Sequence, residues 1–112
     1  MDNDVNTWLY DMLNAINEID YFFLNQPKKI FKNYQADIRT KRAVERNVEI
    51  IGEAMNRILK KDSSILISNS RKLVDVRNRI IHGYDSVSDD VIWGLVIKHI
   101  PQLKIEIIAL IK

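Results

Sequence analysis

Apolar residues recur every three or four positions along most of the chain, the signature of amphipathic helices. Val5, Trp8, Leu9, Met12, Leu13, Ile16, Ile19 and Phe23 form one stripe and predict a long helix over roughly residues 4–24. Asn25-Gln26-Pro27 breaks it, and Pro27 is placed to open a short helix through about Asn33, because a first-turn residue has no N–H partner to lose. A second long helix is predicted from Asp37, an N-cap residue, with the stripe Ala43 or Val44, Val48, Ile51, Met55, Ile58 and Leu59. Lys60 and Lys61 suit the negative end of that helix. Gly52 lies inside it at a cost of about 1 kcal/mol against alanine, and close approach of another helix is the expected reason.

After a polar connection at residues 62–70, Leu73, Val76 and Ile80 predict a third helix over roughly 71–82, with Gly83 placed as its C′ residue. Ser86 and Asp89 have capping-box spacing, with Ser88 as a competing N-cap. Ile92, Leu95, Val96, Ile100, Leu103, Ile107 and Leu110 continue the helical period to the end of the chain. Pro101 interrupts this stretch, so that either the helix kinks or a new one starts. The pattern contains no repeat and no linker. It predicts an all-α fold, an antiparallel bundle of four to five helices, with residues 1–112 as a single domain.

Composition narrows the picture. The chain has 112 residues, 46% hydrophobic and 29% charged, which argues against disorder. Only 3 Gly and 2 Pro are present, too few for the turns of an all-β domain. The lack of cysteine excludes disulfides and thiolate metal sites. The acidic start has neither the basic flank nor the cleavage site of a signal peptide, and no run of about 18 apolar residues occurs. A cytoplasmic location without membrane contact is therefore expected. No cofactor is implied.

The net charge of +2 conceals an uneven distribution. Residues 1–26 carry −5, residues 27–82 carry +8 and residues 83–112 carry −1. A basic middle can attract a polyanion such as RNA, although solvated helix faces give the same pattern.

Two histidines are candidates for proton transfer. His99, beside Lys98, reads as a solvent-facing helical residue. His82 closes the segment RNRIIHGY, with Arg77, Asn78 and Arg79 before it and Tyr84 after it. On a helix, Asn78 and Arg79 share a face with His82, whereas Arg77 lies about 140° round. Arg77 must therefore wrap, the helix end must tighten, or Arg77 must serve a site completed by another copy of the chain. Arg and His suit one reaction well. RNA supplies its own 2′-OH nucleophile, histidine moves protons near neutral pH, and the planar guanidinium fits phosphate oxygens. One histidine cannot act as both acid and base in a single step, so a twofold dimer with facing motifs is expected. The alternative is an Arg-rich amphipathic helix that ends in His-Gly without chemistry.

The segment resembles the R-x4-H-x-Y signature of HepT-type toxins of the HEPN superfamily, with Arg77, His82 and Tyr84 at the signature positions. ERNVEIIGEAMNRI, from Glu45 to Ile58, is similar to the long second core helix of that family. DDVIW (Asp89–Trp93) and IPQL (Ile100–Leu103) are similar to its C-terminal helix. The resemblance spans most of residues 37–104. It implies a HEPN helical bundle that dimerises motif to motif, and a metal-independent ribonuclease toxin with Arg77 and His82 catalytic and Asn78 as the supporting polar residue after the arginine; Arg79 is expected to support the site from its place near His82. It further implies 2′,3′-cyclic phosphate products and neutralisation by a nucleotidyltransferase antitoxin of the MntA type that AMPylates Tyr84. One departure is visible: many relatives carry Trp or Pro-Trp before the motif helix, where this chain has Ile67-Ser68-Asn69-Ser70-Arg71.

Other acidic residues have simpler readings. Glu45, Glu49 and Glu53 recur every four positions and suit a solvated face or pairing with Arg46 and Arg57, with Glu53 singled out by its place next to Gly52. Asp85, Asp89 and Asp90 lack a metal-loop register and suit helix capping. Trp8 and Trp93 fall on helical stripes and suit core or dimer interface. Two other function classes compete with the enzyme: a HEPN module that binds a nucleotide or a nucleotidyltransferase with little or no cutting, and a plain helical interaction protein.

Overall fold

A computed structural model describes residues 2–26, 28–83 and 88–111. Its ordered elements are helical: α1 (Asn3–Phe22), α2 (Phe31–Ala36), α3 (Ile38–Lys61), α4 (Ser70–His82), α5 (Asp89–Gly94), a π-helical segment (Leu95–His99) and α6 (Ile100–Leu110). Among the described residues none forms a strand, and no helix is long and apolar enough to cross a membrane. The expected all-α bundle is what the chain forms.

α3 is the central element, packed on one side by α1 and on another by α4. Its predicted stripe is its buried face: Val44, Val48, Ile51, Met55 and Ile58 are all enclosed. Asp37 caps its start, its carboxylate accepting from the Thr40 N–H at 3.1 Å. α1 contributes Val5, Leu9, Met12, Ile16 and Ile19 from its own stripe. The two helices run antiparallel. Asp4 meets Lys61, Trp8 and Arg57 flank one groove, and Glu18 and Asn47 flank another further along.

The short helix differs from its expectation. It begins at Phe31, behind the extended Ile30, while Lys28 and Lys29 stay outside it and exposed. Pro27 lies outside the described residues. The shift has a packing cause. Tyr34 must reach the core, where Phe23 and Trp93 meet it and Phe31 packs on Trp93, with ring centroids 5.1 Å apart for Tyr34 and Trp93. Trp93 thus closes an aromatic cluster, as its stripe position suggested.

α4 ends as its sequence indicates: Gly83 takes the left-handed conformation at φ 65°. Ser88 occupies the N-cap position of α5, and the competing Ser86 lies outside the described residues. The question posed by Pro101 is resolved by the turn before it. The Ile100 N–H reaches the Leu95 carbonyl, five residues back, and α6 starts there with Pro101 in its first turn. A first turn tolerates the missing N–H. Ile67 is buried in the connection that leads to α4.

Candidate functional site

The close approach that Gly52 was expected to permit is made by α4. A Cβ on Gly52 would stand 2.7 Å from the Leu73 carbonyl oxygen and collide with the Arg77 Cβ. The two backbones touch because this side chain is missing. Leu73 and Val76 turn into the core, which leaves Arg77 at the crossing. Arg77 is therefore the motif residue whose position is fixed by the packing of two helices.

Two neighbours hold the Arg77 guanidinium. One terminal nitrogen forms an ion pair with Glu53, and the other donates to the Asn78 side-chain oxygen at 2.9 Å. Its Nε is buried without a hydrogen-bond partner among the described residues. Glu53 also accepts from Arg57 Nε at 3.0 Å. The hydrogen bond from Arg57 holds the Glu53 carboxyl below the usual glutamate range. Burial opposes that effect, and the positive charge of Arg77 adds to it. Glu45 and Glu49 pair with Arg42 and Arg46 along the exposed face of α3. Of the three glutamates, then, Glu53 alone reaches the motif.

Arg77, Glu53 and Arg57 line a groove of about 460 Å³ with Arg46, Glu49 and Trp8. Arginines and an aromatic ring facing one cleft can meet phosphate oxygens and a base. The half-buried Trp8 therefore belongs to the rim of this groove as well as to the core margin.

The remaining candidates are spread apart. His82 is the last residue of α4 and is exposed to solvent, and it is not among the residues lining the Arg77 groove. Arg79 faces a second groove, between α4 and the α5–π stretch. The structure thus brings Asn78 to Arg77, whose long side chain wraps to reach it, and sends Arg79 to another groove. Tyr84 and Asp85 lie outside the described residues. Asp89, expected as a capping residue, stands in the first turn of α5 and pairs with Lys41 at 3.0 Å. Among the described residues no group of three or more His, Cys, Asp or Glu is arranged to hold a metal ion.

His99 corrects an expectation. It is half-buried rather than solvent-facing, with Asn69 Nδ2 at 3.1 Å from its Nδ1 and Lys72 Nζ at 3.4 Å from its Nε2. The π-helical segment breaks the 3.6-residue period on which the earlier reading relied. Burial pushes the His99 imidazole pKa down, and the charges of Lys72 and Lys98 push it further.

The chain matches the family described as Ribonuclease HepT-like over residues 12–110 and belongs to it. Relatives carry related names. A candidate RNase of Methanocaldococcus jannaschii, MJ0127, is 30% identical over 97% of this chain and 88% of its own length. A second from that organism, MJ1216, is 33% identical over the same shares. A Thermococcus cleftensis protein named as a candidate ribonuclease HepT is 34% identical over 87% of this chain and 86% of its own. No solved structure matches the chain significantly.

Proposed function

We propose that this chain is a metal-independent endoribonuclease that works as a homodimer, with Arg77 binding the scissile phosphate and His82 moving protons. The observation that carries the reading is the anchoring of Arg77. In a family of ribonucleases, the arginine of R-x4-H is held at a helix crossing by Glu53 and Asn78, with N–H donors left for a phosphate.

The chemistry balances without water or a metal in the first step. One His82 takes the proton of the 2′-OH as its oxygen attacks phosphorus. The P–O5′ bond breaks, and His82 of a second copy, protonated beforehand, gives its proton to the departing oxygen. The products are a 2′,3′-cyclic phosphate and a 5′-OH. Arg77 stabilises the charge that builds on the non-bridging oxygens. A second copy fits the placement of the residues, because Arg77 faces α3 while His82 ends α4 in solvent. Ile81, beside His82, is a large apolar side chain left exposed, as a dimer contact there would use.

In this reading residues 1–112 act as one HEPN domain in the cytoplasm, as the toxin of a toxin–antitoxin pair. The partner is a nucleotidyltransferase antitoxin of the MntA type that transfers AMP to Tyr84. An adenylate beside His82 adds bulk and negative charge that repel the phosphates of RNA. The test is cutting of labelled RNA by the chain expressed without its partner. Loss of cutting in a folded His82→Ala variant is expected, and undiminished cutting removes His82 from the mechanism.

One observation favours a second reading, a nucleotide- or nucleotidyltransferase-binding module with little cutting. The charge of Arg77 is already matched by Glu53. That reading predicts a folded, unmodified dimer inert toward mixed cellular RNA.

A further inference from the structure

The second groove, between α4 and the α5–π stretch, has a volume of about 590 Å³. Its charged lining is Lys72, Asp75 and Arg79 from α4, Asp90 from α5, and Lys98 and His99 from the π-helical segment. Val76 and Val91 give it an apolar wall. This size suits a small ligand. Of these residues only Arg79 lies within the R-x4-H segment.

Two features mark this groove. The first is the gathering of several cations without carboxylate partners. Along α3, Lys41, Arg42, Arg46, Arg57 and Lys61 each meet a carboxylate, while Arg39 and Lys60 do not among the described residues. Among the described residues, Lys72, Arg79 and Lys98 form no ion pair. The charges of Lys72 and Lys98 act on the His99 ring and push its pKa down, in addition to burial. The His99 end of the groove is therefore its positive end.

The second feature is the construction around His99. The π-helical segment sets Lys98 and His99 together toward α4, and such turns recur at functional sites. Asn69, a non-glycine residue at φ 61°, holds its side-chain amide against Nδ1. That conformation is uncommon, and asparagine tolerates it better than most residues. Lys72 has donors only, so Nε2 is its acceptor and the proton of the neutral ring sits on Nδ1, facing the Asn69 amide. An ammonium aimed at a neutral imidazole, with a second ammonium nearby, is an arrangement that an anion would relieve.

We propose that this groove is a phosphate-binding subsite, with Lys72, Lys98 and Arg79 supplying charge and His99 donating a ring N–H to the bound group. On binding, the phosphate oxygens accept from Lys72 and Lys98. A proton taken from solvent then occupies Nε2, which becomes a third donor to the same group. The phosphate belongs to an RNA backbone or to a free mononucleotide, since both present the same chemistry. The RNA source rests on the ribonuclease reading above. Arg77 on one side of α4 and Arg79 on the other would then grip phosphates at different points of one strand.

The test is an NMR pH titration of the His99 ring, assigned with a His99→Gln variant, at constant ionic strength set with chloride. The probes are inorganic phosphate, AMP, and a short single-stranded RNA fully 2′-O-methylated so that it cannot be cut. The expected result is a rise of the His99 midpoint by about one pH unit or more with a phosphate probe, lost in a folded Lys72→Ala/Lys98→Ala variant. A rise with the oligonucleotide alone assigns the groove to the RNA backbone, and a rise with AMP as well assigns it to nucleotides generally. An unmoved His99 with all three probes overturns the proposal, as does the same shift with added chloride. Cutting of unmodified RNA is scored separately, so failure of the subsite and failure of the ribonuclease reading are read apart.

Discussion

Arg77 meets the carboxylate of Glu53 across the α3–α4 crossing, one residue from the glycine that lets the two helices touch. The contact joins packing to chemistry. Gly52 sets the distance between the helices, that distance sets where the Arg77 stem leaves α4, and Glu53 with Asn78 fixes the guanidinium plane.

Replacing Gly52 tests the packing link. Gly52→Ala should improve helix propensity yet destabilise the protein by about 1–3 kcal/mol, because the added methyl meets the Leu73 backbone and the Arg77 stem. Urea unfolding measures this. A stabilised variant would mean that the crossing relaxes freely and does not hold Arg77.

Glu53→Gln tests the electrostatic link. Cutting should fall by about ten- to a hundredfold as Arg77 loses its anchor, while circular dichroism stays unchanged. Faster cutting would show that Glu53 restrains Arg77 rather than positions it. The variant should also flatten the acid limb of stability. Because Arg57 and Arg77 hold the folded carboxyl low, its contribution is complete above the usual glutamate value of about 4.3 and is lost as pH falls through the folded value.

Most of the fold was legible because the apolar period is strong. The α1 and α3 stripes, the Asp37 cap, the Gly83 terminus and the close approach at Gly52 each have a local signal in the residues concerned. Elsewhere tertiary packing overrides the local signals. α2 starts at Phe31 because Phe31 and Tyr34 are drawn to Trp93, whatever Pro27 permits. The burial of His99 was not readable, since a π-helical turn displaces the face that a 3.6-residue period predicts. For the site, the place of Glu53 next to Gly52 was the one clue to its contact with Arg77. The second groove gave none, because Lys72, Lys98 and His99 come to one groove only in the folded bundle.

His99 should impose a pH dependence of its own. Its folded pKa is depressed, so its contribution is present above the unfolded value of about 6.5 and is lost as pH falls toward the folded value. Stability of the unliganded protein should therefore decline below neutral pH, and His99→Gln should remove that part of the slope. Parallel slopes in thermal unfolding would show that the ring is solvated.

Tyr34 carries a buried hydroxyl without a hydrogen-bond partner among the described residues. Burial pushes its pKa up, and the nearby charges of Glu45 and Asp89 add to the rise. Tyr34→Phe removes a desolvated polar group and keeps the ring contacts with Trp93. Stability should stay unchanged or rise by about 1 kcal/mol. A loss above that size, read by urea unfolding, would reveal a hydroxyl partner.

The most direct measurement is the end chemistry of RNA cut by the unmodified chain in EDTA. The account predicts fragments with 2′,3′-cyclic phosphate and 5′-OH ends, absent with His82→Ala and with Arg77→Ala. Fragments with 3′-OH and 5′-phosphate ends, or cutting abolished by EDTA and restored by a divalent cation, would contradict it.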